Sequence, residues 1–251
     1  MISKNQIKQV KALHLKKFRD EEGLFIAEGV KIVTEIMQSQ SELIERLFAT
    51  EQFVKSNTKL LSNIKDVVKV SEEELERIST LQTPNQVLVV CRKFPVNKPQ
   101  INIDKQFSLY LDDIRDPGNL GTILRIADWF GINEIFVSVK STELYNPKTI
   151  QAAMGAFLRV RVHYMDLEKI TRNPSVPLYG AVLNGENIYR QKLQNGLIII
   201  GNEANGIGES NLKKITHPIT IPASSANQTE SLNAAMATSI ICSEFFRQLK
   251  L

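Results

Sequence analysis

Cysteine is scarce, with two in 251 residues, and neither stands where a disulfide framework or a metal site would need it. Cys91 lies in an apolar strand-like run and Cys242 in a helical one, the usual places of buried reduced thiols. Histidine is as thin: His14, His163 and His217 are scattered, which argues against zinc, and no metal is expected. Long apolar runs are missing too. The strongest, Leu197 to Ile200, is far short of the roughly 18 residues a bilayer span needs, and the N-terminal lysines precede no signal-peptide core. The chain is therefore expected to stay in the cytoplasm and off membranes. Several catalytic fingerprints are absent as well. Gly201, Gly206 and Gly208 have the wrong spacing for G-x-G-x-x-G, no Gly-Lys-Ser/Thr follows a glycine loop, and no Gly-x-Ser-x-Gly elbow occurs. An ATPase, a conventional nicotinamide enzyme and a serine hydrolase are thereby disfavoured.

What is present is an ordinary globular composition, 43% hydrophobic and 23% charged, sufficient for a real core. Acid is absent from residues 1 to 19, which hold Lys4, Lys8, Lys11, Lys16, Lys17 and Arg19, although the whole chain carries only +4. Lys4, Lys8 and Lys11 share one helix face, so these six cations form a candidate phosphate-contacting surface, with a merely solvated face as the plainer alternative.

Residues 5 to 93 alternate short helical and strand-like segments: a stripe at Ile7, Val10 and Leu13, a strand at Leu24 to Ile26, a helix from Val30 to Met37, a strand from Leu43 to Ala49. Ser71 with Glu74 three places on is a capping box that opens a further helix. The polar stretch around Pro95 and Pro99 shows no period and divides the chain into a domain at 1–94, a linker at 95–106 and a domain at 107–251. In the second domain, strands near 107, 134, 159, 178, 197 and 218 alternate with helices at about 119–130, 147–157, 166–172, 208–215 and 231–249. That is the rhythm of a mostly parallel sheet with helices on both faces, an α/β architecture beside a smaller α/β domain.

In a parallel sheet, working residues sit on loops at the carboxyl ends of strands. Three polar or glycine-rich segments hold such places: Asp112 to Gly121, Gly201 to Gly208, and Ile219 to Asn233. Singly, each is adequate turn or capping chemistry. Together, Asn119-Leu120-Gly121-Thr122-Ile123-Leu124-Arg125, Gly201-Asn202-Glu203-Ala204-Asn205-Gly206-Ile207-Gly208, and Ile221-Pro222 with Ser231-Leu232-Asn233-Ala234-Ala235 resemble the three motifs of the SpoU/TrmH family of SPOUT RNA 2′-O-ribose methyltransferases. Asn146-Pro147-Lys148 and Gly155-Ala156 support the likeness. The stretch from Ile7 through Gly29 is similar to the small substrate-binding domain that many members carry.

The resemblance implies a C-terminal sheet threaded as a trefoil knot, S-adenosylmethionine as cofactor, RNA as partner and a homodimer paired through the second domain. It implies catalytic or positioning roles for Asn119, Arg125, Glu203, Ser231 and Asn233, with Glu203 fixing the site through the arginine. Cofactor contacts are implied at Leu183, Gly201, Asn202, Gly206, Ile221, Pro222, Ser231 and Leu232. Asp112 and Asp113 are expected only to shape their turn. The loop between Pro222 and Ser231 is slightly longer than the family's usual one. Ribosomal RNA is the expected substrate, with transfer RNA, or a catalytically silent RNA-binding factor on the same fold, as alternatives. For Arg125 the plainer alternative is a surface ion pair with Asp128.

Overall fold

The computed structural model describes residues 2–96, 98–99, 101–171, 175–224 and 230–251. Positions 97 and 100 of the expected linker, and 225–229 of the longer loop, lie outside the described residues. The chain forms two compact units, one of residues 1–97 with 143–158, the other of 98–142 with 159–251.

In the first unit α1 (Lys4–Ala12) begins at Ser3, whose side chain and that of Gln6 form a reciprocal capping box. Next come α2 (Lys16–Glu22), β1 (Leu24–Glu28), α3 (Val30–Ser39), β2 (Ile44–Ala49), α4 (Glu51–Ser56), α5 (Thr58–Leu61), β3 (Val67–Lys69), α6 (Glu72–Glu76) and β4 (Val87–Arg92). The four strands stand in the order β1-β4-β2-β3, antiparallel except for β2 with β3. Ser71 and Glu74 cap α6 reciprocally, as their spacing suggests. Ile7, Val10 and Leu13 pack with Ile26, Phe48, Leu88 and Val90, so the stripe read from sequence is the face of α1 that meets the sheet.

The second unit contributes β5 (Ser108–Leu111), α7 (Pro117–Trp129) and β6 (Glu134–Val137) before the chain passes through α8 (Pro147–Ala153). It then continues as β7 (Arg161–Tyr164), α9 (Leu167–Ile170), β8 (Leu178–Asn187), β9 (Leu197–Ile200), α10 (Glu209–Leu212), β10 (His217–Thr220) and α11 (Ala234–Lys250). Its six strands run β10-β8-β9-β5-β6-β7, and every pairing is parallel. The central strands are apolar on both faces and fully buried, as a sheet covered by helices requires. The family motifs follow β5, β9 and β10, so all three lie beyond the carboxyl ends of strands of this one sheet.

Segment 143–158, with α8, groups with the first unit. Its Tyr145 ring lies 4.9 Å from Phe25 and its Phe157 ring meets Phe25 edge-on at 6.1 Å. Burial pushes the Tyr145 phenol up to about 12, and its oxygen accepts the Phe94 N–H at 2.9 Å. Cys91 and Cys242 are buried free thiols, each raised by desolvation. No helix among the described residues is long and apolar enough to cross a membrane.

Candidate active site

The first loop turns sharply after β5. Asp113 adopts a positive φ of 57° and pairs with Arg115, and Asp116 then caps α7 by accepting the Asn119 N–H at 2.8 Å. With Pro117 in the first turn, the helix start is fixed from both sides. The Asn119 side chain is thereby held at the mouth of the loop.

A chain of amides runs from there through the other two motifs. Asn233 caps α11, its Oδ1 accepting the N–H groups of Ala235 at 2.9 Å and Met236 at 3.3 Å. Its Nδ2 must therefore face the other way, and it donates to Asn119 Oδ1 at 2.9 Å. Asn119 Nδ2 in turn donates to the Glu203 carboxylate. Every donor points the same way, from the α11 backbone to the acid, so each bond polarises the next. Glu203 is held by Asn119 and forms no ion pair with Arg125 among the described residues.

The loop after β9 is a closed strap. Asn202 and Gly206 exchange backbone hydrogen bonds of 3.0 and 2.9 Å. The buried Asn202 side chain donates to the Asp113 carbonyl at 2.8 Å and accepts from Ala204 at 2.8 Å and Asn205 at 3.2 Å. Gly201 is required: a Cβ there would come within 2.3 Å of the Gly206 carbonyl carbon. Buried Asp112 accepts the Gly208 N–H at 2.8 Å. The acids expected only to shape the first turn thus also tie the strap to it, and their place directly after an apolar strand was the available signal.

Around this network lie the other expected contacts. Leu183, 70% exposed on β8, accepts the Thr220 hydroxyl through its carbonyl at 3.1 Å, which sets it beside Ile221 and Pro222. Ile221 is half-buried, and Pro222, Ser231 and Leu232 are exposed. The Ser231 hydroxyl makes no hydrogen bond among the described residues, and it lies outside α11, whose cap is Asn233. Arg125 is exposed on α7. Asp128, its suggested partner, instead makes a two-pronged pair with Arg159, leaving Arg125 without an ion pair among the described residues.

Of the six basic candidates in the first unit, Lys4, Lys8, Lys11, Lys16 and Lys17 are exposed. Arg19 is not: it is 2% exposed, donates to the Leu13 carbonyl at 2.6 Å and pairs with Glu143. Its guanidinium holds the unit together and is withdrawn from the surface.

A sequence profile of the SpoU rRNA Methylase family matches residues 106–243, a span that contains all three loops. The chain belongs to this family. Residues 4–89 match the MRM3-like substrate binding domain. The 23S rRNA (guanosine(2553)-2′-O)-methyltransferase RlmP of Bacillus subtilis is 29% identical over 248 residues, covering 95% of each protein. A TrmH-family structure from Porphyromonas gingivalis superposes with a TM-score of 0.84 at 34% identity, over 99% of both chains. An AdoMet-bound rRNA methyltransferase from Sinorhizobium meliloti gives 0.84 at 26% identity, over 100% of this chain and 98% of that one.

Proposed function

We propose that the chain transfers the methyl group of S-adenosylmethionine to a ribose 2′-hydroxyl of ribosomal RNA. The observation that carries this is the meeting of Asn119, Glu203 and Asn233, one residue from each family motif, in a single oriented network. The residues present suit the cofactor. The space over Gly206 is open, with no atom within 4 Å of where a Cβ would stand, and exposed Leu183 and Leu232 offer apolar surface to a partly apolar ligand. Gly201, Asn202, Ile221, Pro222 and Ser231 complete the cofactor-binding set. When bound, the cofactor supplies a methyl group activated on a sulfonium.

The protein's tasks are to position the ribose and to ease loss of its proton. Asn119 and Asn233 fix the loop geometry, while Glu203 supplies a carboxylate that anchors the amide chain. Arg125 stays protonated, as guanidinium does, so it serves as a positive group for the developing alkoxide or a neighbouring phosphate and not as a base. Ser231 shapes the acceptor side. The homodimer, the trefoil threading of the last strands and a cytoplasmic place belong to the same reading.

The test is transfer of labelled methyl from S-adenosylmethionine to total RNA from a host lacking this protein, followed by nucleoside separation. Label in a 2′-O-methylated nucleoside of ribosomal RNA is expected. Label confined to transfer RNA would move the substrate, and absence of both transfer and cofactor binding would overturn the reading.

A further inference from the structure

The first unit contains a cavity of about 420 Å³ whose lining combines three unlike chemistries. Its floor is apolar: Val10 and Leu13 of α1, Leu24 of β1, Phe48 of β2 and Val90 of β4. One wall is the half-buried ring of Phe18, which already carries the Lys17 ammonium 5.8 Å from its centroid. The rim is polar and two-sided, with the Asn5 and Gln9 amides offering donors and acceptors and the Glu22 carboxylate offering an acceptor that forms no ion pair among the described residues. Lys8 adds positive charge to the opening, where Arg46 is already paired with Asp66 and Glu45 with Arg92.

The geometry points to a pocket for a single unstacked nucleobase of the substrate RNA. A flat apolar body, a polar edge and an adjoining phosphate are what these three chemistries would complement together, and RNA presents them together where a loop base is splayed out. The volume lies within the range of small-molecule sites and exceeds what one base needs, leaving room for the ribose. Lys8 stands at the opening between Lys4 and Lys11 on the same helix face, so the backbone on either side of the inserted base would run along α1. This deepens the methyltransferase reading and rests on it: the second unit performs the chemistry, and the pocket recognises a base other than the methylated nucleotide.

The test uses the full chain saturated with S-adenosylhomocysteine, so that the second unit cannot capture an adenine ring. Amide shifts are followed while adenosine, guanosine, cytidine and uridine 5′-monophosphates are added, with ribose 5-phosphate as control. At least one nucleotide is expected to shift amides near Lys8, Leu24 and Phe48, and ribose 5-phosphate is not. Equal shifts with ribose 5-phosphate would reduce the site to a phosphate contact, and no shift in these amides would overturn it. Ala12→Trp, which fills the cavity, and Phe18→Ala, which removes the wall, should each weaken binding of ribosomal RNA about tenfold, the scale of one lost stacking contact, with the salt slope unchanged. Lys4→Ala with Lys8→Ala and Lys11→Ala should instead reduce the slope of log affinity against log salt by about 2. Pocket variants that fold and bind RNA like the parent protein would sink the pocket alone, because methyl transfer by the parent stands as a separate readout.

Discussion

Asp128 could have neutralised Arg125 one turn away on α7, and it is held by Arg159 instead. That leaves the Arg125 guanidinium exposed on α7, available to an anion that arrives with the substrate. Arg125→Ala should lower turnover by about 10²–10³-fold, the scale of losing one preorganised charge-stabilising donor, while calorimetry finds cofactor affinity within a factor of about two. Near-normal turnover would remove Arg125 from the chemistry. The contrast between Arg125 and Arg19 shows how far single residues can be read. Both are basic residues in motif-bearing or basic segments, yet one is exposed and the other is 2% exposed against Leu13 and Glu143. Arg19 joins the basic run in sequence, but its partner Glu143 is 124 positions away, and no local pattern announces a pair at that separation. Asn119, Glu203 and Asn233 were legible because each stands directly after a strand or at a helix start. The order of their hydrogen bonds was not, since it follows from which end of Asn233 the α11 backbone occupies.

Elements were legible where an apolar period or a cap marked them. The Ile7, Val10, Leu13 stripe, the Ser71 box and the six strands of the parallel sheet fall in this class. Helix α2 was not: its sequence, Lys-Lys-Phe-Arg-Asp-Glu-Glu, has no apolar stripe, and the side chain it buries is Arg19. Helix α11 begins at Ala234, later than the expected 231, because Asn233 provides the cap and leaves Ser231 and Leu232 outside the helix, in the loop. Strand β8 runs on to Asn187 because its far part pairs with β10 across a register shift. Gly185 permits that pairing: a Cβ there would lie 2.5 Å from the Ile219 carbonyl carbon, whereas at Gly180 it would meet the end of the Ile215 side chain. Backbone cannot step aside as a side-chain tip can, so Gly185→Ala should lower stability by about 1–3 kcal/mol and Gly180→Ala by clearly less in paired denaturant titrations. The outer edge of the same sheet carries a pH dependence. Burial of His163 on β7 holds its imidazole below the ordinary range, outweighing the upward pull of Glu134, with Arg161 pushing further down. The unfolded chain takes up this proton near its usual value of about 6.5, and the folded chain only at lower pH. Stability present above that value is therefore lost as pH falls through the folded pKa, and His163→Phe should flatten this acid-side loss. An unchanged pH profile of unfolding would refute it.

At the scale of the whole molecule, positive charge is concentrated at the start of the chain. The first 19 residues hold six of the chain's basic groups and no acid, so the remainder is close to neutral. In the second unit, large apolar side chains are left in water at helix ends: Trp129 at the end of α7 is 84% exposed and Met236 at the start of α11 is 62% exposed. Helices α7 and α11 pack on each other, and α11 turns Ala235, Ile241, Cys242 and Phe245 into the core. The apolar surface of α11 is thus partly core, and only part of it remains for a second copy. What remains includes Met236, whose N–H is capped by the Asn233 that continues into the Asn119 and Glu203 network. If two copies pair over this surface, burying Met236 would also restrain the start of α11, and association and catalysis would be coupled through one residue. Met236→Asp places a charge in such a contact without removing any hydrogen bond of the network. Sedimentation should find the parent protein dimeric at micromolar concentration and the variant monomeric, with the variant's methyl transfer falling in step and recovering as protein concentration is raised. A parent protein that sediments only as a monomer, yet turns over fully, would show that the exposed apolar ends of α7 and α11 serve no second copy and that one chain completes its own site.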